Sequence, residues 1–314
     1  KAERIRQHSR FVVWEPISHE LLALIREQEL IHRWRPEFNS MGQPTRMQPA
    51  FLCISGAPAP NARLERRLNG RHAHAFGPIT GTGRLREAIA SFNQVFQLRD
   101  CPDKTKFEFS NQLFLFDDPA SAKCIRHELG SCPGPCAGMC TSRSYQQLVD
   151  QAVQFLNGDS RQILDRLNRK MQEAAGRMAF ESAAIYRNCL EQLTWLDRRL
   201  HGLRLAEQQL NGVLPIAARR QRTAWLILKG GRLCFSAIQP DREDRAEWTR
   251  SRIESVSRVM PDVSTNRLET SLRLIIISWF RKNRPMRQQL IPFDQAIGNC
   301  DSILKSPANS RFAA

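Results

Sequence analysis

The 314 residues, 41% hydrophobic and 25% charged, suffice for two or three domains with cores of their own and have the balance of a soluble globular chain. The longest apolar run, Leu272 to Phe280, is broken by Arg273 and Ser278 and is too short to cross a bilayer, and no charged-then-apolar signal segment opens the chain. A formal net charge of +16 favours polyanionic partners, nucleic acid first and an anionic membrane second.

The chain opens at Lys1 without an initiator Met, and Arg10 to Trp14 is expected to form a short strand. A helix follows, with Ser18 as N-cap and Leu21, Leu24, Ile25, Leu30 and Ile31 as its apolar positions. It must stop by Arg35, because Pro36 disfavours helical geometry in the residue before it. A Gly/Pro-rich stretch from Met41 to Pro60 surrounds one apolar strand, Ala50-Phe-Leu-Cys-Ile. A basic loop, the turn Phe76-Gly-Pro and a helix from Gly83 to Phe96 come next. Cys101 to Cys140 has little periodicity. Helices resume at Arg143 to Leu156, Ser160 to Met178 and Glu181 to Leu203. Two apolar strands, Ala224 to Leu228 and Arg232 to Ile238, flank Gly230-Gly231 as a hairpin. Helical stretches at Asp241 to Val256 and Leu268 to Asn283 and a short strand at Leu290-Ile-Pro-Phe complete the chain, and there is no internal repeat.

The chain is expected in the cytosol, where thiols stay reduced, so nine cysteines argue for metal ligation plus a few buried free thiols. Seven residues separate Cys124 from Cys132 and three separate Cys132 from Cys136, with Cys101 upstream and Cys140 as a spare candidate. Four thiolates suffice for tetrahedral zinc or for the corners of a [4Fe–4S] cluster. Uneven spacing with Gly and Pro between ligands, and no C-x2-C pair, favours iron–sulfur over zinc; unliganded buried cysteines are the plain alternative.

Ile163, Leu167, Met171, Ala174 and Met178 fall on one face of a helix, and Ala183, Tyr186, Leu190 and Leu193 do so on the next. Small residues (Ala174, Ala175, Ala183, Ala184) let the two approach, leaving Arg177, Glu181 and Arg187 outward for a charged partner. Spacing alone also fits an ordinary antiparallel pair packed on its own domain. A lone Glu27 on a basic helix is ordinarily just solvated. His72 and His74 are assigned no ligand. Gly81-Thr-Gly83 lacks the Lys and length of a phosphate loop and is expected to be a turn and N-cap.

In this order the blocks Ala23-Leu-Ile-Arg-Glu27-Gln-Glu-Leu-Ile31, Arg35-Pro-Glu-Phe-Asn39, Phe76-Gly-Pro78 with Arg86-Glu87, Leu98-Arg-Asp-Cys101, the remaining cysteines, and Phe180-Glu181 with Tyr186-Arg187 resemble the UvrC family, the incising subunit of the UvrABC excinuclease, over roughly residues 1 to 203. The resemblance implies a GIY-YIG nuclease that cuts one DNA strand with Mg²⁺ or Mn²⁺ held by Glu27, with Asn39 near the active site. It also implies a [4Fe–4S] cluster on Cys101, Cys124, Cys132 and Cys136. A UVR hairpin would dock on a UvrB-type helicase through Arg177, Phe180, Glu181, Tyr186 and Arg187.

The two name-giving strands of the nuclease, with its catalytic Tyr, Lys and Arg, are expected to precede Lys1. The spacer between Cys101 and Cys124 is longer than usual, and the tail after about residue 213 does not resemble the family's RNase H-like second nuclease, which points to the shorter relatives. The expected fold class is α+β multidomain. Residues 1–45 would be the C-terminal part of a GIY-YIG α/β domain, 46–100 a connecting α/β region and 101–140 the cysteine module. Residues 141–205 would be helical, with the UVR hairpin at 160–200, and 213–314 a small α/β domain of unknown role. Two other classes remain: a non-catalytic adaptor binding DNA and a UvrB-like helicase, and a regulatory protein pairing a zinc cysteine module with a UVR hairpin.

Overall fold

The computed structural model describes residues 2–39, 49–68, 70, 72–102, 104–107, 109–111, 124–218, 222–258 and 266–304. In chain order these form α1 (Ala2–His8), α2 (Glu20–Trp34), β1 (Ala50–Ser55), β2 (Ala62–Glu65), β3 (His72–Ile79), α3 (Thr82–Val95), α4 (Ile125–Glu128), α5 (Ser142–Asn157), α6 (Arg161–Gly176) and α7 (Phe180–Gln209). They continue with β4 (Gly212–Ala217), β5 (Thr223–Lys229), β6 (Arg232–Ile238), α8 (Glu243–Arg258), α9 (Arg267–Lys282) and α10 (Phe293–Leu304). Mixed α and β structure agrees with the expected α+β class. The start of the Gly/Pro-rich stretch (40–48) and most of the spacer before Cys124 (112–123) lie outside the described residues.

Two compact units emerge: 48–202, and a second built from 1–47 together with 203–314. In the first, β1 runs at the centre of an antiparallel sheet of order β2-β1-β3. All six residues of β1 are buried, which explains why its sequence is a continuous apolar run rather than an alternating one. The basic loop expected after it is instead two strands, β2 and β3, and Phe76-Gly77-Pro78 lies within β3. Both are edge strands, and an edge tolerates charges that break the apolar alternation.

The edge of β2 is closed by a side chain: the buried Asn93 of α3 accepts from Ala62 N–H at 3.1 Å and donates to Ala62 O at 2.9 Å. Beneath α3, Phe92, Phe96 and Phe155 form an aromatic triangle with centroids 4.6 to 5.9 Å apart, which joins α3 to α5. Helix α5 starts where Thr141 Oγ1 accepts from Ser144 N–H at 3.1 Å. It buries Tyr145, Val149, Ala152, Phe155 and Leu156, a stripe of helical period.

The second unit centres on a sheet of order β4-β5-β6. Strand β5 is covered on both faces. Ala224, Leu226 and Leu228 pack with Leu21 and Ile25 of α2, Ala206 and Leu210 at the end of α7, and Ile276, Trp279 and Phe280 of α9. Trp225 and Ile227 pack with Ala246 and Ile253 of α8 and Ala296 and Cys300 of α10. Period-2 alternation with both faces apolar thus makes a helix–sheet–helix sandwich. Trp279 Nε1 donates to Glu20 at 2.8 Å, pinning α2 to α9.

Several expectations are corrected here. Arg10 to Trp14 is not a strand: Phe11, Val12, Val13 and Trp14 are 79 to 92% exposed, and a β-branched run makes a strand only against a partner. Ser18 does not cap α2. His19 does, its Nδ1 accepting from Leu21 N–H at 3.1 Å, while the Ser18 hydroxyl donates to Ala217 O. The helix ends at Arg35 as expected. Leu290-Ile-Pro-Phe is no strand beyond one bridge between Ile291 and Val213; Pro292 instead leads into α10. Of the small residues expected between the hairpin helices, Ala174 and Ala183 are half-buried, but Ala175 and Ala184 face solvent.

One buried clasp holds the 48–202 unit together around the start of the cysteine segment. The Tyr145 hydroxyl donates to Pro60 O at 2.9 Å and accepts from Arg99 N–H at 3.0 Å. The Arg99 guanidinium, 5% exposed as a residue, donates to Ala59 O and to Cys101 O and sits over Phe107. Tyr145→Phe removes the central hydroxyl and leaves Pro60 O without that donor; the expected cost is about 1–3 kcal/mol, read as a lowered urea midpoint.

Candidate cysteine centre and helical hairpin

The four thiols assigned to a metal come from three places: Cys101 after the clasp, Cys124 just before α4, and Cys132 and Cys136 in the turns beyond it. Arg99 anchors the first, with its Nη1 3.0 Å from Cys101 O and 3.9 Å from Cys101 Sγ. An ion pair between Asp100 and Arg126 of α4, and a bond from Gln97 Nε2 to Gly130 O at 3.2 Å, bring the later turns to the same place. The far end is tied back where Ser110 N–H donates to Cys140 O at 3.0 Å and Ser142 N–H donates to Asn111 at 3.0 Å.

Between Cys132 and Cys136 the chain turns at Gly134, with φ +76°. A Cβ there would sit 3.1 Å from the ring of His127 and from Met139 Cβ, so glycine is required for both conformation and room. His127 Nδ1 in turn lies 3.4 Å from Cys132 O.

The thiols sense one another. Burial, and then Cys124, Cys136 and Cys101, push the Cys132 thiol up to about 11, against a Gly134 N–H that favours its thiolate. Burial, Cys124 and Cys101 likewise push Cys136 up. Cys140 is raised by burial and by Cys136. Like groups in one partly buried space repel as thiolates, and a bound cation removes that repulsion. Among the described residues, the only group of three ligand atoms within 4.8 Å of one another lies elsewhere, so these sulfurs are spread more widely than around a single ion. Tetrahedral Zn–S bonds of about 2.3 Å would put sulfurs roughly 3.8 Å apart.

The second feature is the turn between α6 and α7. Ala179 N–H donates to Ala174 O at 2.9 Å and Met178 N–H to Ala175 O at 3.0 Å, the six-to-one and five-to-two bonds of a Schellman end. The left-handed position, usually glycine, is Met178 with φ +58°. Met178 is 77% exposed, Phe180 69% and Ile185 50%, so the hairpin presents an apolar tip. Arg177, Glu181 and Arg187 are exposed beside it, and Tyr186 is half-buried with Lys170 Nζ 5.8 Å from its ring centroid. Leu167 and Leu193 are the buried positions of the inner faces.

Glu27 is exposed on α2, and among the described residues it makes no hydrogen bond or ion pair; Asn39 is half-buried, its N–H bonded to Pro36 O at 3.1 Å. Glu27 and Asn39 belong to one unit and the four cysteines to the other. Sequence reasoning missed Arg84 and Arg199, whose guanidinium carbons lie 5.1 and 5.7 Å from the Trp195 ring centroid and form a cationic–aromatic patch. Arg99 enters the sequence reading only as part of the Leu98-Arg-Asp-Cys101 block, with no role assigned to it.

No helix among the described residues is long and apolar enough to cross a membrane. Residues 50–155 match the family model of the UvrC/Cho excinuclease middle domain, and 161–193 match the UvrB/uvrC motif. Similar proteins include the UvrABC system protein C of Lachnospira eligens, 29% identical over 190 residues, 60% of this chain and 30% of that protein. Those of Alkalilimnicola ehrlichii and Pseudomonas aeruginosa are 31 and 32% identical, over 58 and 54% of this chain and 28 and 26% of theirs. The match therefore spans less than a third of each relative's length. No solved structure matches. A middle-domain match followed directly by a UvrB/uvrC motif match, with UvrABC system protein C sequences among the similar proteins, supports a UvrC-family assignment for this chain.

Proposed function

We propose that this chain is the cluster-bearing and helicase-docking part of a UvrC-type incision subunit in nucleotide excision repair. The observation that carries the reading is the hairpin tip, where a UvrB/uvrC motif leaves Met178, Phe180 and Ile185 exposed between Arg177, Glu181 and Arg187. Apolar anchors within a charged rim are what a protein interface needs, and a non-glycine residue in the left-handed region is retained at a cost of about 1 kcal/mol. The partner would be a UvrB-type helicase carrying a matching helical element.

Cys101, Cys124, Cys132 and Cys136 would hold a [4Fe–4S] cluster. Their wide spread and the Gly134 N–H directed at Cys132 support this over a lone zinc ion. The net charge of +16 and the Arg84–Trp195–Arg199 patch support DNA as the substrate, bound mainly through phosphates and released by salt. For incision, Glu27 would ligate Mg²⁺ or Mn²⁺, which when bound polarises the scissile phosphate. Its exposure and lack of a protein partner among the described residues leave the carboxylate available. Asn39 would stand beside it.

The adaptor reading has an observation of its own. The family matches begin at residue 50, while the helix of Glu27 packs with residues 203–314. An incision assay on damaged duplex with the partner subunits separates the two. In a protein that carries the whole nuclease, Glu27→Gln should abolish cutting while DNA binding persists; cutting unaffected by that change would remove the Glu27 assignment and leave the adaptor reading.

Docking is tested by titrating a UvrB-type helicase into the chain. Met178→Gly removes the exposed side chain and relieves the positive φ, so binding should weaken at least tenfold while thermal stability is unchanged or higher. Phe180→Ala should weaken binding similarly. Unchanged affinity in both variants would remove the docking assignment.

A further inference from the structure

The sheet of the 48–202 unit carries a constellation that neither the cysteine centre nor the hairpin uses. Cys53 stands in the middle of β1, Glu65 ends β2 and His72 begins β3. Register puts Phe51 opposite Glu65 and Ser55 opposite His72, so the three side chains share one face with Cys53 between its two diagonal neighbours. Diagonal neighbours normally stand too far apart to share a ligand. Here the ladder between β1 and β3 shifts register between Ile54 and Ser55, and such a bulge re-aims a side chain. The result is that one sulfur, one carboxylate oxygen and one imidazole nitrogen all lie within 4.8 Å of one another. His72 Nδ1 and Glu65 Oε2 are 3.9 Å apart.

Burial distinguishes this trio from a chance surface group. Cys53 is fully buried, and the His72 and Glu65 side chains are only 15 and 18% exposed. Glu65 Oε2 and His72 Nδ1 are both inaccessible and both lack a hydrogen-bond partner. An unsatisfied buried polar atom costs about 1–3 kcal/mol, and two of them facing one another call for a shared partner. Arg63 on β2 donates from Nε and Nη2 to Asn61 Oδ1. Burial, and then the charge of Glu65 and a side-chain hydrogen bond to it, push the Cys53 thiol up to about 12.

We propose that Cys53, Glu65 and His72 form a Zn²⁺ site that staples the three strands, with three protein ligands and a fourth position open to water or an incoming ligand. The donor set of thiolate, imidazole and carboxylate is one that zinc accepts and that the hard ions Mg²⁺ and Ca²⁺ do not. Tetrahedral bonds of about 2.0–2.3 Å require donors about 3.3–3.6 Å apart, a contraction from the separations seen here. This site is separate from the four-cysteine centre, and neither depends on the other for its argument.

The test is zinc binding by the whole chain, purified without added metal, with Zn²⁺ itself as the probe. The parent is compared with Glu65→Gln, His72→Gln and Cys132→Ser, with circular dichroism confirming that each is folded. Expected is one Zn²⁺ equivalent that the parent and Cys132→Ser both take up, bound at least tenfold more weakly by Glu65→Gln and His72→Gln. Added Zn²⁺ should also raise the melting temperature of the parent but not of His72→Gln. Substituted Co²⁺ should show a thiolate charge-transfer band that Cys53→Ala loses. Equal zinc uptake by the parent and the two strand variants overturns the proposal. So does a parent whose zinc is all lost in Cys132→Ser.

Discussion

Four sulfurs from distant points of the chain lie near enough to influence one another's ionisation, and contacts within the 48–202 unit place the segments that carry them. Burial most of all, and then the neighbouring thiols Cys124 and Cys101, raise the resistance of Cys132 and Cys136 to ionisation. Such a group is not self-stabilising. It is held by what surrounds it: the Tyr145–Arg99 clasp that places Cys101, the Asp100–Arg126 pair that places α4, and the glycine turn at 134 that lets Cys132 and Cys136 face the same way. A cation at the centre converts mutual repulsion into attraction, so folding and metal uptake should be coupled there.

The hairpin obeys the opposite logic. Leu167 and Leu193 are buried, one on each helix, and the backbone bonds of a Schellman end fix the turn between them. The tip is where stability yields to recognition: Met178 occupies a conformation suited to glycine and leaves its side chain in water. A rigid stem with an apolar, slightly strained tip is preorganised for a partner, which lowers the ordering cost of binding.

Where periodicity and burial coincide, sequence and structure agree closely. Helix α5 buries a regular stripe ending at Gly158, and β6 has the bounds expected from the glycine pair before it. Agreement fails where an element is defined by its neighbours. Strands β2 and β3 carry charges tolerated at a sheet edge, so they resemble a loop. Pro215 made β4 unreadable as a strand, yet β4 is an edge, where a missing N–H is tolerated. Phe11 to Trp14 has strand composition and no partner strand among the described residues. The cysteines of the proposed centre could be named from the sequence because their spacing is written along the chain. The Cys53–Glu65–His72 trio was not, because only cross-strand register assembles it.

An iron–sulfur cluster on Cys101, Cys124, Cys132 and Cys136 is proposed for the segment that matches the UvrC/Cho excinuclease middle domain. Its most direct test is the iron and acid-labile sulfide content of the chain purified under anaerobic conditions. The account predicts four irons and four sulfides per chain, both lost when Cys132 is replaced by Ser. Zinc without sulfide on those cysteines, or a folded chain with no metal there, would contradict it.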